Sequence, residues 1–449
     1  MYMGTRKRIL FITTGTSTGK ERGNNESLSN GIYSSVSFMN PDKSIYFGTA
    51  DSKKTFDLIL ELYDKDGRSS DGSVEFVELQ NPDIFMDCYK KMVDKMQEYS
   101  SVDDDQRNEI IINYTSGTKT MTMAAAILGL LYNKKLILVG GTRVNGLVAQ
   151  GMESIQEQNL YLAYDFVKLE RAIRLFNSYE YIRAKEEFES IESLKSKESV
   201  KIFLIKLCNI FDSWDKFDRD AAHKELESIN RTMDSDGLLD NLKAFLKIPL
   251  KANCNGCTVQ NPNEFKSIIE LLQNADRRIN EGKYDDAVAR LYRTSELIGQ
   301  TILRECYGLD SSDIDVNKIK ELLKERQDVA EFIKGYEKEH EAAMKTQEKI
   351  KIGLFKVYEL ISRLKGEAQS LLESNKRFRN LIQMRNESIL AHGMKPIEKA
   401  ASLDLFESVK KIAEQVWNSY SLSPSFSDCM NKAKFPELNH KAMISRVFS

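Results

Sequence analysis

The sequence lacks any apolar run long enough to cross a membrane. A transmembrane helix needs roughly 18 or more consecutive apolar residues, and the most apolar stretch, around AAAILGLLY, is much shorter. The basic amino terminus is followed by only a few apolar residues before Thr and Gly, which favours a strand over a signal peptide. These absences predict a cytoplasmic protein with no membrane partner.

Cysteine and histidine are both scarce. Six cysteines are scattered over 449 residues, a distribution that does not resemble a disulfide framework. Cys254 and Cys257 form a CxxC pair, but zinc needs four ligands and no second pair follows at finger-like spacing. A turn between helices is therefore favoured there, and no metal site is predicted. The chain has 4 histidines, so histidine-based chemistry has few sources.

An excess of positive charge is also missing. The formal net charge is -2, so any contact with nucleic acid would have to use a local basic patch. Lys376, Arg377, Arg379 and Arg385 form one such cluster. Taken alone, a run of this kind is typical of a solvated helix face.

The first part of the chain alternates strand-like and helix-like segments, which predicts an α/β domain with a largely parallel sheet. The predicted strands are Arg8 to Thr13, Ser44 to Gly48, Ser73 to Leu79, Glu109 to Tyr114 and Lys135 to Val139. The predicted helices are Thr55 to Tyr63, Ile84 to Glu98 and Lys119 to Tyr132. After Gly140 and Gly141, the segments Arg143 to Met152 and Gln158 to Ala163 are expected to form a terminal hairpin.

From about Asp165 onward the pattern is helical almost everywhere. A loop rich in Asn, Cys and Gly between Pro249 and Pro262 marks the best second boundary. The predicted helices are Glu170 to Glu189, Val200 to Phe217, Phe265 to Gly282, Asp285 to Tyr307, Val316 to Arg326, Val329 to Leu364, Leu371 to Leu390 and Ala401 to Tyr420. The last thirty or so residues show no clear period, which predicts a weakly structured tail or docking segment.

Two loops rich in Gly, Thr and Ser follow the first and fourth predicted strands. In an open α/β sheet, ligands bind outside the carboxyl ends of the strands, and glycines, hydroxyls and helix amino-terminal amides there suit a phosphate-bearing ligand. Tight turns alone would explain one such loop, but two at one edge favour a site. The predicted ligand-binding residues are Thr14, Gly15, Thr16, Ser17, Thr115, Ser116, Gly117, Thr118, Lys119 and Met121.

The stretch from Met384 to Gly393 carries the second candidate site. On one continuous helix Arg385 and His392 would differ by about 700° of rotation and would lie roughly 10 Å apart along the axis, on nearly the same face. A phosphodiester could lie against that face. The competing interpretation of His392 is a helix-end histidine that satisfies terminal carbonyl groups before Gly393.

These two motifs resemble those of a known family. The segment from Tyr114 to Met121 looks like the ligand motif of CARF domains, the Rossmann-like sensors of type III CRISPR systems that bind cyclic oligoadenylates. Arg385, Asn386 and His392 match the R-N-x5-H signature of HEPN ribonucleases. A CARF-like motif followed by a HEPN-like motif resembles the arrangement of CARF-HEPN ribonucleases over most of the chain. The segment from Lys283 to Gln300 also resembles part of these proteins.

The resemblance implies the following organisation and activity. Residues 1–163 would form a CARF-like sensing domain, 164–260 a helical linker domain, 261–420 a HEPN-like helical bundle and 421–449 a tail. The protein would be a homodimeric, metal-independent endoribonuclease that cleaves single-stranded RNA and leaves a 2',3'-cyclic phosphate. A cyclic oligoadenylate would be its allosteric activator, and no cofactor is implied.

The resemblance also implies roles for the catalytic residues. His392 would transfer protons, since the ordinary pKa of histidine is about 6.5. Arg385 would stabilise charge on the phosphate, while Asn386 would orient one of these groups or face its own subunit. Arg290, Arg293 and Glu296 either line the pocket or serve packing and surface ion pairing.

Two other functions stay open on the sequence. The first is a nucleotide-sensing interaction protein whose HEPN-like helices only dimerise or dock a partner, although the intact Arg385, Asn386 and His392 argue against it. The second is a conventional nucleotide-using α/β enzyme, which the absence of GxxxxGK[ST] and GxGxxG disfavours. The number of adenylates in the activator, possible cleavage of that activator and the RNA base preference also remain open.

Overall fold

The computed structural model divides into two compact units, Met1–Lys168 and Leu169–Ser449. The residues that it describes are 7–16, 22–99, 108–144, 147–158, 160–229, 232–253, 258–315, 321, 334–335, 349–365, 383–390 and 393–448. The predicted order, an α/β domain followed by a helical region, is confirmed.

A six-stranded sheet forms the centre of the first unit. Its strands are β1 (Arg8–Thr13), β2 (Lys43–Gly48), β3 (Val74–Glu78), β4 (Glu109–Asn113), β5 (Lys135–Val144) and β6 (Leu147–Gln158), in the order β3-β2-β1-β4-β5-β6. The first five are parallel, and β6 pairs antiparallel with β5. Nearly every residue of β1 and β2 is buried, as expected when both sheet faces are covered. The five predicted strands are therefore confirmed.

The helices of this unit are α1 (Arg22–Met39), α2 (Lys53–Lys65), α3 (Phe85–Tyr99) and α4 (Lys119–Leu131). The sequence predicted the last three but missed α1, because its many Ser, Asn and Gly residues have low helix propensity. Tertiary packing overrides that preference, since Ile32 and Val36 are fully buried in the core on one sheet face. Several serine hydroxyls bond back to helix carbonyls, such as that of Ser35 to Ile32 at 2.6 Å.

A terminal hairpin exists, but both of its predicted segments were wrong: β5 and β6 form it, and the predicted first segment, Arg143 to Met152, spans the end of β5 and the start of β6. β5 continues through Gly140 and Gly141 as far as Val144, with a register shift between Gly141 and Arg143. Gly141 has φ +145, which accommodates this irregularity without a side chain. β6 already ends at Gln158, so Gln158 to Ala163 is not a strand.

From Tyr161 onward the described chain is almost entirely helical. Its helices are α5 (Tyr161–Asn177), α6 (Tyr181–Glu189), α7 (Glu198–Asp215), α8 (Arg219–Glu227), α9 (Asp240–Lys247), α10 (Lys266–Asn280), α11 (Tyr284–Tyr307), α12 (Leu354–Lys365), α13 (Lys399–Ser419), α14 (Phe426–Lys432) and α15 (His440–Phe448). Short 3-10 turns cover Glu192–Ser196 and Pro262–Phe265, and β7 (Ile314–Asp315) pairs antiparallel with β8 (Lys349–Ile350).

Two helix predictions and the prediction for the final residues were wrong in this region. The segment Glu170 to Glu189 is two helices, because Tyr179 adopts φ +65 between them. The segment Val329 to Leu364 is interrupted by β8, and α12 begins only at Leu354. The final residues are not weakly structured, since α14 and α15 form there and Phe435, Leu438, Met443 and Val447 are buried.

Two hydrophobic cores hold the second unit together. One is built from α5 to α9 with the side chains that follow α14, and the other from α10 to α14. The second core carries the Arg385 segment, because Met384 packs against it. Of the helices in the described ranges, none is long and apolar enough to span a membrane.

Candidate functional site

The two loops predicted to bind a ligand meet at the carboxyl edge of the sheet. The Gly15 amide, after β1, donates a hydrogen bond of 2.9 Å to Ser116 Oγ, after β4. A Cβ at Gly15 would lie 2.7 Å from the Gly117 nitrogen, and Gly117 itself has φ +112. Glycine is thus required at 15 by close approach and favoured at 117 by backbone conformation. The structure brings the two loops together as the sequence predicted.

Asn113, at the end of β4, fixes the shape of the second loop. It is fully buried; its Oδ1 accepts from the Thr115 amide at 3.0 Å and its Nδ2 donates to Ser35 Oγ at 2.8 Å. The Thr115 hydroxyl is also engaged, because it accepts from the Val139 amide at 2.8 Å. Thr115 and Ser116 therefore have a scaffolding role through their hydroxyls.

At the start of α4, the three predicted ligand-binding residues differ in how available they are to a ligand. Thr118 is its N-cap: the hydroxyl accepts from the Met121 amide at 3.2 Å and donates to the Pro82 carbonyl at 2.8 Å. Lys119, the first helical residue, is exposed. Met121 points elsewhere: it is 1% exposed and packs in the core.

The loop after β1 offers a ligand fewer of its described residues than the sequence predicted. Thr16 is exposed, whereas Thr14 is fully buried and donates its amide to the Phe47 carbonyl at 2.8 Å. Within the residues that the structure describes, the Thr14 hydroxyl has no hydrogen-bond partner. Ser17 lies outside the described residues.

Arg385 lies on the helical segment 383–387 and is half-buried. Its Nη1 donates to Asn386 Oδ1 at 3.1 Å, and its Cζ lies 5.2 Å from the centre of the Tyr292 ring on α11. Among the described side chains, no carboxylate forms an ion pair with Arg385. Within the described contacts, the guanidinium is thus held in place while much of its donor capacity remains available to an anion.

The helix that carries Arg385 ends earlier than predicted. Helical residues stop at Glu387, and a turn occupies 388–390. The Ser388 hydroxyl donates to the Arg385 carbonyl at 2.8 Å, which takes up a helix-end acceptor. A continuous helix from Leu371 to Leu390 is therefore wrong at its carboxyl end, and so is the same-face argument that rested on it. His392 lies outside the described residues.

After this turn the chain returns to the end of the helix. The Gly393 amide donates to the Ser388 carbonyl at 3.2 Å, and the Lys395 amide to the Glu387 carbonyl at 3.0 Å. Lys395 Nζ also lies 3.2 Å from Glu387 Oε2. Hydrogen bonds from Gln383 and Lys395 lower the pKa of the Glu387 carboxyl, which favours the charged form of Glu387 in its ion pair with Lys395.

The approach at Gly393 leaves no room for a side chain. A Cβ there would lie 1.9 Å from the Glu387 carbonyl oxygen, far inside any permitted contact. Gly393 follows His392 directly in the sequence. The chain from Gly393 to Lys395 is consequently tied to the helical turn that carries Arg385.

The arginines that were expected to flank the pocket both contact other side chains. Arg290 bonds Asn274 and lies 3.0 Å from Asp286, so its contacts are structural. Arg293 Nη1 donates to Gln300 at 2.8 Å and lies 3.5 Å from Glu296. Sequence reasoning missed Tyr292, which lies on α11 four residues before Glu296.

In the part of the chain that is described, no cluster of three or more His, Cys, Asp or Glu side chains could hold an ion. Cys254 and Cys257 lie outside that part.

Comparison with known families and structures gave concordant matches. The model of the Csm6 6H domain matches residues 164–251, and that of the Csm6 HEPN domain matches residues 257–416. The fold is similar to that of Enterococcus italicus Csm6 bound to cyclic hexa-2'-fluoro-hexa-dAMP, with a TM-score of 0.61 and 14% identity over 98% of this chain and 100% of that one. Curated proteins gave no match. The chain therefore belongs to the CARF-HEPN family of type III CRISPR ancillary ribonucleases.

Proposed function

We propose that the protein is a cyclic-oligoadenylate-activated endoribonuclease that cleaves single-stranded RNA in type III CRISPR antiviral defence. The observation that carries the proposal is Arg385, a half-buried arginine on the HEPN-like unit with no carboxylate partner among the described residues. Such a guanidinium is suited to bind a phosphodiester. The cytoplasm, where such RNA is met, is the proposed location.

The reaction requires only proton transfer and charge stabilisation. The ribose 2'-hydroxyl attacks the adjacent phosphorus, the new 2'-O–P bond forms and the P–O5' bond breaks. His392 is proposed to move the proton from the attacking hydroxyl or to the leaving 5'-oxygen. Arg385 donates to the phosphate oxygens as negative charge develops, and Asn386 orients the Arg385 guanidinium. The products are a 2',3'-cyclic phosphate and a 5'-hydroxyl.

The activator is proposed to bind the amino-terminal unit. Lys119, Thr16 and the first amides of α4 offer positive charge and donors to its phosphates. Gly15 and Gly117 allow close approach of the two loops. Enterococcus italicus Csm6, whose fold is similar, binds a cyclic adenylate analogue, which supports this class of ligand here. Activation requires that the ligand bind the active arrangement more tightly than the inactive one.

A homodimer is proposed as the active form. α4 is apolar on nearly all faces, and its outer residues Met123 and Leu131 are 49% and 56% exposed. Exposed Ile389, Leu390 and Met394 also flank the turn after Arg385. Apolar surfaces of this kind favour a protein partner. Two subunits would supply one activator cleft and one composite ribonuclease cleft.

The whole proposal is tested with fluorescent single-stranded RNA, four- and six-membered cyclic oligoadenylates, and a chelator. We expect cleavage to depend on one of the rings and to survive chelation, with mass spectrometry identifying a cyclic phosphate end. Sedimentation at the assay concentration should give a dimer. Ring binding without any cleavage would favour the alternative, an interaction protein whose helices only dimerise or dock a partner.

Lys119→Ala is expected to weaken activation. Loss of one charge-assisted contact to a phosphate should raise the half-activating ring concentration about 10-fold, while kcat at saturating ring stays near wild type. Titration of the ring in the RNA assay measures both quantities. The control is Lys90→Ala, since Lys90 is exposed on α3. An unchanged half-activating concentration for Lys119→Ala would contradict the placement of the ligand.

A further inference from the structure

Tyr292 is the residue on α11 that contacts Arg385. Its ring centre lies 5.2 Å from Arg385 Cζ, within the range of a cation–π contact. Tyr292 is half-buried and packs against the core formed by α10 to α14, as does Met384 next to Arg385. The ring is therefore anchored by the same core that holds the arginine segment.

Glu296 is the acidic neighbour of Tyr292 on α11, one helical turn further along. Burial, together with the charge of Glu296, raises the pKa of the Tyr292 phenol. The phenol is thus neutral at physiological pH. Arg293 lies 3.5 Å from Glu296, so this carboxylate has its own cationic neighbour. Glu296 does not form an ion pair with Arg385.

This arrangement holds the guanidinium without neutralising it. A carboxylate partner would occupy the N–H donors of Arg385 and cancel its charge, which would compete with a phosphate. An aromatic face attracts the cation through the ring quadrupole and leaves the edge of the guanidinium free to donate. Asn386 adds one neutral contact, at 3.1 Å from Nη1.

We propose that Tyr292 is a positioning residue of the ribonuclease site, which orients the Arg385 guanidinium toward the scissile phosphate. This inference rests on the proposed function, because it needs Arg385 to act on RNA. Tyr292 contributes through its ring, so its hydroxyl is not needed for this role.

The test compares Tyr292→Leu with Tyr292→Phe and with the control Tyr284→Leu. Tyr284 lies on the same helix and packs partly buried against the same core. We expect Tyr292→Leu to lower kcat about 10-fold, as loss of a partly desolvated cation–π contact would. Tyr292→Phe should keep most activity, and Tyr284→Leu should keep wild-type kcat. Thermal unfolding of all three reports their stability.

A double-mutant cycle then asks whether Tyr292 acts through Arg385. Binding of an RNA with a 2'-deoxy group at the cleavage point is measured by fluorescence anisotropy. Tyr292→Leu should weaken binding in the wild-type background and have no further effect beside Arg385→Ala. Equal losses in both backgrounds, or wild-type kcat in Tyr292→Leu, would overturn the role of Tyr292 alone. Wild-type protein that cleaves no RNA with any ring would overturn the ribonuclease assignment as well.

Discussion

Arg385→Ala is expected to lower kcat for ring-activated RNA cleavage about 1,000-fold, the size of effect seen when a donor to developing charge is removed. His392→Ala should cause a comparable loss, because the attacking 2'-hydroxyl must lose a proton and the leaving 5'-oxygen must gain one. The RNA assay with saturating ring measures both variants. Ring binding should be unchanged in each, since neither residue belongs to the loops after β1 and β4 that are proposed to bind the ring.

The matched control is Arg183→Ala. Arg183 is an exposed arginine on α6 whose ion pair with Glu180 lies at the surface, where such pairs contribute little to stability. It should retain wild-type kcat and the wild-type unfolding temperature. Undiminished cleavage by His392→Ala would remove histidine from the catalytic assignment. Undiminished cleavage by Arg385→Ala would remove the observation on which the proposed function rests.

The strands of the sheet were predictable because burial of both faces leaves an uninterrupted apolar run. In β1 and β2 this signal is local, and the predicted bounds agree with the observed ones to within a residue. α1 was not predictable from its own residues, since Ser and Gly disfavour a helix and only packing of Ile32 and Val36 on the sheet stabilises it. Tertiary contacts decide such segments.

In the candidate sites, too, some features were predictable from local sequence and others depend on tertiary contacts. The meeting of Gly15 and Ser116 followed from one rule about parallel strand ends. The burial of Met121 did not, because the periodicity of an apolar helix such as α4 cannot indicate which face turns inward. Tyr292 was missed for a related reason: it lies 93 positions before Arg385 in the numbering of the chain, and only the folded bundle brings the two together.

Gly393→Ala is expected to lower kcat about 100-fold while leaving the fold intact. The added methyl would lie 1.9 Å from the Glu387 carbonyl oxygen, so the segment from Gly393 to Lys395 must move away from the helix end. A displacement of about 1 Å at a catalytic segment is enough for such a loss. Single-turnover cleavage with saturating ring measures the change.

The control for this substitution is Gly353→Ala. A Cβ at Gly353, just before α12, would meet nothing within 4 Å, so this variant tests the loss of glycine without the clash. It should keep wild-type kcat. Lys395→Ala provides a second comparison, because it removes the ion pair with Glu387 at 3.2 Å but adds no steric clash.

The three variants together distinguish two possible roles of the segment from Gly393 to Lys395. If the close approach at Gly393 sets the position of the neighbouring His392, Gly393→Ala loses far more activity than Lys395→Ala, at a similar unfolding temperature. If the segment has no part in positioning a catalytic residue, all three variants cleave RNA at the wild-type rate. Because an exposed ion pair is worth at most about 1 kcal/mol, a large loss in Lys395→Ala would instead indicate that its ammonium group contacts the RNA.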